Sequence, residues 1–393
     1  MSTAPGQSFH LAVLDATPSE APPSHLTDQL IAQDAAVGIE LLGHDDFTGN
    51  DAAGVLRALQ PGPSRRHWMV VALDRLPREA QPAGEGSVGL PLVPGRGEVE
   101  PGVRLLGSAH VGIALQENTD RLDLDLAVLP GERRRGIGSA LHEAAEEIAH
   151  AHGRTVIDTY TGHRRAAEEG SPDALAAPTG FGALDRTEAP TAFALAQGYR
   201  LVQTETHSEL HPADGLAVVD ALEADARAHA ANYEVLTWSG PTPQEQLDGM
   251  CRLYERMSTD VPQGDAGREQ EVWTPERIRE NEARWQDIGR HTVFAMARHV
   301  PTGEAVAYTY LQSSPHRPAA AYQEDTLVAR EHRGHRLGTL VKTAALRRFA
   351  AERPRVQRVH TWNAGENAHM LAINTALGFR PVSVEGVWEK RMG

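Results

Sequence analysis

The chain carries one passage twice. Val128–Gly138 reads VLPGERRRGIG and Val328–Gly338 reads VAREHRGHRLG, so Arg133 and Gly138 recur as Arg333 and Gly338 after a single common shift. Each passage follows a β-rich apolar run, Leu122 to Leu129 or Thr326 to Ala329, and opens a long segment rich in Ala and Leu. A strand, a basic glycine-bearing turn and a helix in that order aim several backbone N–H groups and the positive end of a helix at one spot. Such a spot binds phosphate. A repeat of this kind also implies two copies of one supersecondary unit, and 393 residues suit two cores better than one. We therefore expect two domains, 1–212 and 213–393.

Composition narrows the function classes. A net charge of −15 argues against a general nucleic-acid surface or an anionic membrane surface, both of which need a basic face. The basic islands are local, at Arg133–Arg135 and Arg330–Arg336. Cys251 is the only cysteine, which excludes an internal disulfide and a thiolate metal cluster and suits a reducing compartment. Low Lys with high Ala, Arg and Gly reads as the imprint of a GC-rich genome. No stretch approaches the roughly 20 apolar residues of a membrane span, and no basic apolar leader is seen, so the expected location is cytoplasmic. The histidines form no metal motif: His142, His150 and His152 show no i,i+4 ligand pair, and His332 and His335 read as loop surface.

Along the chain, residues 1–22 read as a ragged start or short strand and Leu26–Leu59 as helices interrupted at Gly43 and Gly49. His67–Leu73 reads as a strand, and Pro77–Gly102 as a long loop or hairpin tip. The stretch from Gly138 to Gly198 is longer than that from Gly338 to Gly378, so the first copy carries an insert between His163 and Arg186. That insert reads as a surface loop, with a lid over the first cleft or a dimer contact as the functional alternative. Leu247, Met250, Cys251, Tyr254 and Met257 share one helical face, which is core spacing.

The Arg-x-x-Gly-x-Gly pattern at Arg133, Gly136 and Gly138, between strand and helix, resembles the acyl-CoA pyrophosphate loop of the GCN5-related N-acetyltransferases (GNAT). The likeness extends downstream. Arg358–Trp362 is followed by Asn363, Asn367, MLAIN from Met370 and Gly378-Phe379-Arg380, while the first copy ends in FALAQ from Phe193 and Gly198-Tyr199-Arg200. The tandem layout is similar to the actinobacterial two-domain type that includes mycothiol synthase, without its substrate carrying over. The resemblance implies an α/β (α+β) fold: two domains, each a twisted, mixed, mostly antiparallel sheet flanked by helices.

It also implies acetyl-CoA as acyl donor. The backbone of Arg134, Arg135, Gly136, Ile137, Gly138 and Ser139 would take the pyrophosphate, with charge from Arg133–Arg135. Arg333, Gly334, His335, Arg336, Leu337, Gly338 and Thr339 hold those places in the second copy. Arg336 replaces the middle glycine there, so either it turns outward and strengthens phosphate binding or that site holds CoA weakly. In the family the preceding strand splays from its neighbour and bonds the pantetheine through its backbone. Leu126 to Val128, and Leu327, Val328 and Ala329, occupy those positions.

An ammonium must lose a proton before it attacks a thioester, and the family uses a carboxylate on the strand leading to the turn. Asp125 and Asp325 occupy equivalent places, with Glu324 adjacent. Strand alternation predicts that Glu324 and Asp325 face opposite ways, so that only one sees the cleft; which one stays open. The family's usual proton donor to the sulfur, a tyrosine four residues before the Gly-Phe glycine, is Asn374 here and Ala194 in the first copy. A thiol pKa near ~8.5 leaves catalysis possible without it. Asn363 and Asn367 read as pantetheine ligands or, better for Asn367, a helix cap at Ala368.

The resulting expectation is acetyl transfer from acetyl-CoA to a primary amine of a small molecule. The second domain is the expected catalyst, because its carboxylate pair and Asn-rich motif are the more complete. An acyl-CoA-binding scaffold or sensor, with one or both domains non-catalytic, is the alternative. Aminoacyl transfer from tRNA is disfavoured by the acidic charge. No metal, nucleic acid or membrane is expected, and the chain is expected as a monomer or homodimer.

Overall fold

The computed structural model describes residues 9–84, 87–168, 170–260 and 268–393. They form two compact units, the first of Met1–Gly162, Asp185–Leu201 and Gly386–Gly393, the second of His163–Leu184 and Val202–Glu385. The division at 1–212 and 213–393 remains our proposal for the limits of the two sequence copies. Packing groups the chain differently at three places, the insert, residues 202–212 and the last residues.

In the first unit β1 (His10–Asp15) leads to α1 (His25–Leu42) and α2 (Ala52–Ala58). Gly43 ends α1 at a φ of 85°, and the Asp51 carboxylate caps α2 by accepting from Gly54 N–H. The strands β2 (Arg65–Leu73), β3 (Leu92–Pro94), β4 (Leu105–Ala114) and β5 (Arg121–Val128) precede α3 (Ile137–Ala151) and β6 (Val156–His163). They lie in the order β3-β1-β2-β4-β5-β6. The Pro/Gly-rich excursion after β2 is therefore not only a loop, because β3 pairs in parallel with β1. Ile137, Leu141, Ala145 and Ile148 of α3 are buried, and a Cβ on Gly107 would meet both Ile137 and Leu141, so α3 sits directly on β4.

The insert contributes two short strands, β7 (Ala174–Ala176) and β8 (Ala183–Asp185), before α4 (Ala189–Ala196) and β9 (Arg200–Leu210). Most of the insert packs with the second unit. Thr204 Oγ1 donates to the Phe181 carbonyl at 2.9 Å, and Phe181 rests against Gly365.

The second unit runs α5 (Pro212–Ala228), β10 (Tyr233–Ser239), α6 (Leu247–Asp260), α7 (Pro275–Asp287), β11 (His291–His299) and β12 (Glu304–Ser313). It continues through β13 (Ala320–Val328), α8 (Leu337–Glu352), β14 (Arg358–Ala364) and α9 (Ala368–Leu377) into β15 (Arg380–Arg391). Its strands lie in the order β10-β11-β12-β13-β14-β9-β15. Alternation along β11 sends Val293, Ala295 and Ala297 into the core with α8, and Phe294 and Met296 into the core with α6. Both faces are thereby covered by helices.

Two irregularities position the site. β13 and β14 pair only from Ala320–Tyr322 against Arg358–His360 and then part. In the first unit β5 and β6 pair only over Arg121–Leu124 against Val156–Thr159. Between β12 and β13 the register passes from Thr309↔Thr326 to Leu311↔Gln323, so Glu324 and Asp325 together face the single residue Tyr310. That is a β-bulge.

Candidate active site

The two turns after β5 and β13 share one backbone. Arg133 and Arg333 have φ/ψ of −66°/164° and −69°/160°. The left-handed positions that follow are Arg134 (φ 62°) and Gly136 (φ 81°) in the first turn, Gly334 (φ 86°) and Arg336 (φ 53°) in the second. Each copy thus has one glycine and one arginine in the two strained places, in opposite order. Alternation of right- and left-handed residues turns successive N–H groups to one side, and the first N–H groups of α3 and α8 add to them, having no partner within the helix.

The side chains around the turns are exposed and already paired with acids. Arg133 holds Glu40 at 2.6 and 2.9 Å, Arg135 pairs with Glu132, and Arg336 pairs with Asp225 of α5. Arg336 therefore turns outward, toward α5. Arg333 donates to the carbonyls of Val328 and Asp260, and His335 Nδ1 lies 3.2 Å from the His229 carbonyl. Ile137 and Leu337 turn inward as core residues. Gly138 and Gly338 serve packing: added Cβ atoms would meet Phe193 at 3.4 Å and Ile373 at 3.0 Å.

Where β13 and β14 part, a cavity of about 220 Å³ opens in the second unit. Gln323, Glu324, Asp325 and Thr326 form one wall, Thr361, Trp362, Asn363 and Ala364 the other, with Glu205, Met257, Lys342, Asn367 and Met370 completing it. Both acids line it, which corrects the expectation that only one would. The physical reason is the bulge. Gln323 and Thr326 each bond Thr309, whereas Asp325 accepts from Tyr308 Oη at 3.2 Å, so the extra residue leaves two consecutive acids between side chains of the other face.

Burial first, and the adjacent Asp325 second, push the Glu324 carboxyl up to about 7. Asp325 is pushed up to about 6 by burial, against the lowering effect of the Tyr308 hydrogen bond. Glu205, which sequence reasoning missed, is also raised, by burial and then by the charge of Glu366. Asn374 Nδ2 donates to Asn363 Oδ1 at 2.6 Å, and Asn367 caps α9 by accepting from Met370 N–H. The downstream asparagines are thus a bonded pair at the cavity wall and a cap.

A profile of the acetyltransferase (GNAT) family matches residues 98–168 and 261–379, one stretch in each copy. A solved tandem GNAT protein from the clavulanic acid biosynthesis pathway, without acetyl-CoA, is 27% identical at a TM-score of 0.64, over 98% of this chain and 99% of that one. The chain is a tandem member of the GNAT superfamily. A GNAT structure from Sphaerobacter thermophilus shares the fold at a TM-score of 0.56 and 14% identity, over 99% of this chain and 97% of that one. No curated protein sequence matches the chain.

The first GNAT copy has a different constellation. Asp125 faces His110 across the β4–β5 ladder, and its charge reaches Asp34 of α1. Desolvation and then Asp125 push Asp34 up to about 7, and desolvation raises Asp125 despite the opposing charge of His110. Leu126 and Val128 pair with β4 but lie beyond the β5–β6 ladder, as Leu327 and Val328 pair with β12 but lie beyond the β13–β14 ladder. Sequence reasoning passed over Asp34, His110, Tyr308 and Lys342, because their partners are distant in sequence. Among the described residues no helix is long and apolar enough to cross a membrane.

Proposed function

We propose that the second copy transfers an acetyl group from acetyl-CoA to the primary amine of a small molecule. The observation that carries this reading is the bulge, which sets two carboxyls on the wall of the opening that a phosphate-type turn feeds. The backbone of Arg333 to Thr339 and the start of α8 would hold the pyrophosphate, and Leu327 to Ala329, paired with β12 on one edge and past the end of the β13–β14 ladder on the other, the pantetheine. Acetyl-CoA supplies the activated carbonyl. Glu324 takes the proton from the incoming ammonium, since a carboxyl near 7 is ionised in a useful fraction at neutral pH and still basic enough to hold the proton. Asp325, fixed by Tyr308, raises that basicity. Glu324 passes that proton to water; the amine nitrogen then bonds to the carbonyl carbon and gives its second proton to Glu324, while the C–S bond breaks with its electron pair on sulfur.

The first copy, with Ala194 in the tyrosine's place, fits acetyl-CoA binding through Arg133 to Ser139 and a supporting part. Incubating the purified chain with acetyl-CoA and an amine library, read by mass spectrometry, tests the proposal. The expected result is an acetylated amine whose formation Glu324→Gln suppresses. Stabilisation by acetyl-CoA without any acetylated product would make the chain a binder and sink the reading.

A further inference from the structure

Lys342 stands on α8 one turn beyond Gly338 and forms part of the cavity wall. It is 1% exposed. Its amine lies over the face of Phe379, 5.8 Å from the ring centroid, and among the described residues it makes no hydrogen bond or ion pair. A buried amine held only by an aromatic face has lost most of what water gave it. Burial lowers its pKa to about 7, so it can hold or release a proton near neutrality. The carboxyls that share the cavity with it are Glu205, Glu324 and Asp325.

The first copy shows how a packing residue solves the same position. The shift that takes Gly138 to Gly338 takes His142 to Lys342, and the Gly-aromatic motif takes Tyr199 to Phe379. His142 is equally buried, but its Nε2 lies 3.1 Å from Tyr199 Oη and its Nδ1 3.7 Å from Glu146. The second copy has lost that hydroxyl and gained an amine. The choice of lysine is pointed, because Lys342 and Lys390 are the only two lysines among 38 Lys and Arg residues. A chain that meets nearly every other need for positive charge with arginine keeps here the one that can give up a proton. Asn374, in the place of the family's proton-donating tyrosine, spends its amide on Asn363 and has no proton to transfer to a thiolate.

Resting on the acyl-transfer reading of this cavity, we propose that Lys342 delivers the proton to the departing CoA sulfur. With the ammonium's first proton already passed through Glu324 to water, the nitrogen's second proton goes to Glu324 as the C–N bond forms; as the C–S bond breaks, sulfur keeps the electron pair and takes a proton from the Lys342 ammonium. The neutral amine and the carboxylic acid then return to their starting states by exchanging one proton through water. The products are the amide, CoA thiol and the one proton that the ammonium gave to water, with no net proton gained or lost by the protein.

The full chain, acetyl-CoA and an amine it acetylates provide the test, with Lys342→Met and Lys342→Arg as variants. Both should lower kcat by about 10²- to 10⁴-fold, with the KM for acetyl-CoA held within about threefold. The melting temperature of Lys342→Met should equal or exceed that of wild type, because a buried unpaired amine has gone. Wild-type kcat in Lys342→Met overturns the proposal. So does rescue by Lys342→Arg, which would show that only charge matters. The ultraviolet absorption of bound CoA thiolate gives a second reading: in wild type it should appear at lower pH than the ~8.5 of a free thiol. An unshifted thiol in wild type also overturns the proposal. If wild type neither binds CoA nor acetylates any amine, the acyl-transfer reading itself fails and takes this one with it.

Discussion

At the scale of single residues the chemistry turns on an irregularity that no local pattern announces. Regular alternation gives Glu324 and Asp325 opposite faces, and the sequence YQEDTL from Tyr322 carries no glycine or proline to mark a bulge. The acids themselves were legible; their joint presence in one cavity was not. Their unequal surroundings predict unequal roles. Glu324→Gln should lower kcat by about 10²- to 10⁴-fold, whereas Tyr308→Phe should lower it less, because it removes only the hydrogen bond that steadies Asp325. In wild type, kcat should rise with pH through about 7 as Glu324 ionises. Asp325→Asn removes a charge that raises Glu324, so the acid limb of the profile should move to lower pH. An acid limb that stays put in Asp325→Asn would separate the two carboxyls. If Glu324→Gln and Asp325→Asn both keep wild-type turnover and Asp125→Asn abolishes it, the active site lies in the first copy.

At the scale of elements the turns were the most legible part. Strand, turn and helix follow one another at Arg121–Ala151 and Ala320–Glu352 as the repeat requires. Hidden from the sequence was the exchange of glycine and arginine between the left-handed positions, which makes Arg336 a counterpart of Gly136 rather than a defect. Lys342 was hidden by context: in a helix rich in Ala, Leu and Arg it reads as one more solvated cation, and only its rarity pointed elsewhere. The turns give a prediction that separates the copies. A β-branched residue at a φ near 80° costs about 1–3 kcal/mol and disturbs the N–H array. Gly136→Val should therefore weaken acetyl-CoA binding by the first copy, and Gly334→Val by the second. Calorimetry should show the stoichiometry fall from two to one in each. An undiminished stoichiometry in Gly136→Val would remove the first turn from the binding machinery.

At the scale of the whole molecule the repeat foretold two units, yet it could not foretell that Gly386–Gly393 packs with the first. No short-range signal joins the chain's last residues to its first half, because the partners are ions far apart in sequence. Glu389, 1% exposed, accepts from Arg121 at 2.7 Å and from Arg200 at 2.7 Å, while Asp158 holds the other side of Arg121 with two bonds of 2.8 Å. Trp388, wholly buried beside it, donates to Thr161 Oγ1. Burial alone would raise the Glu389 carboxyl, but hydrogen bonds from Arg200 and Arg121 outweigh it and hold the group below its ordinary 4.5. Its stabilising effect is then fully present above 4.5 and is lost as pH falls through the lowered value. Removing one member of such a buried network leaves uncompensated charge and costs about 3–5 kcal/mol. Glu389→Gln should accordingly speed hydrogen exchange in peptides covering Val156–His163 and Gly386–Gly393 at pH 7, leave those covering α6 and α7 unchanged, and approach wild type once the pH is low enough to protonate the carboxylate. Uniform acceleration over both units, or none at pH 7, would show that these ions do not fasten the C-terminal residues.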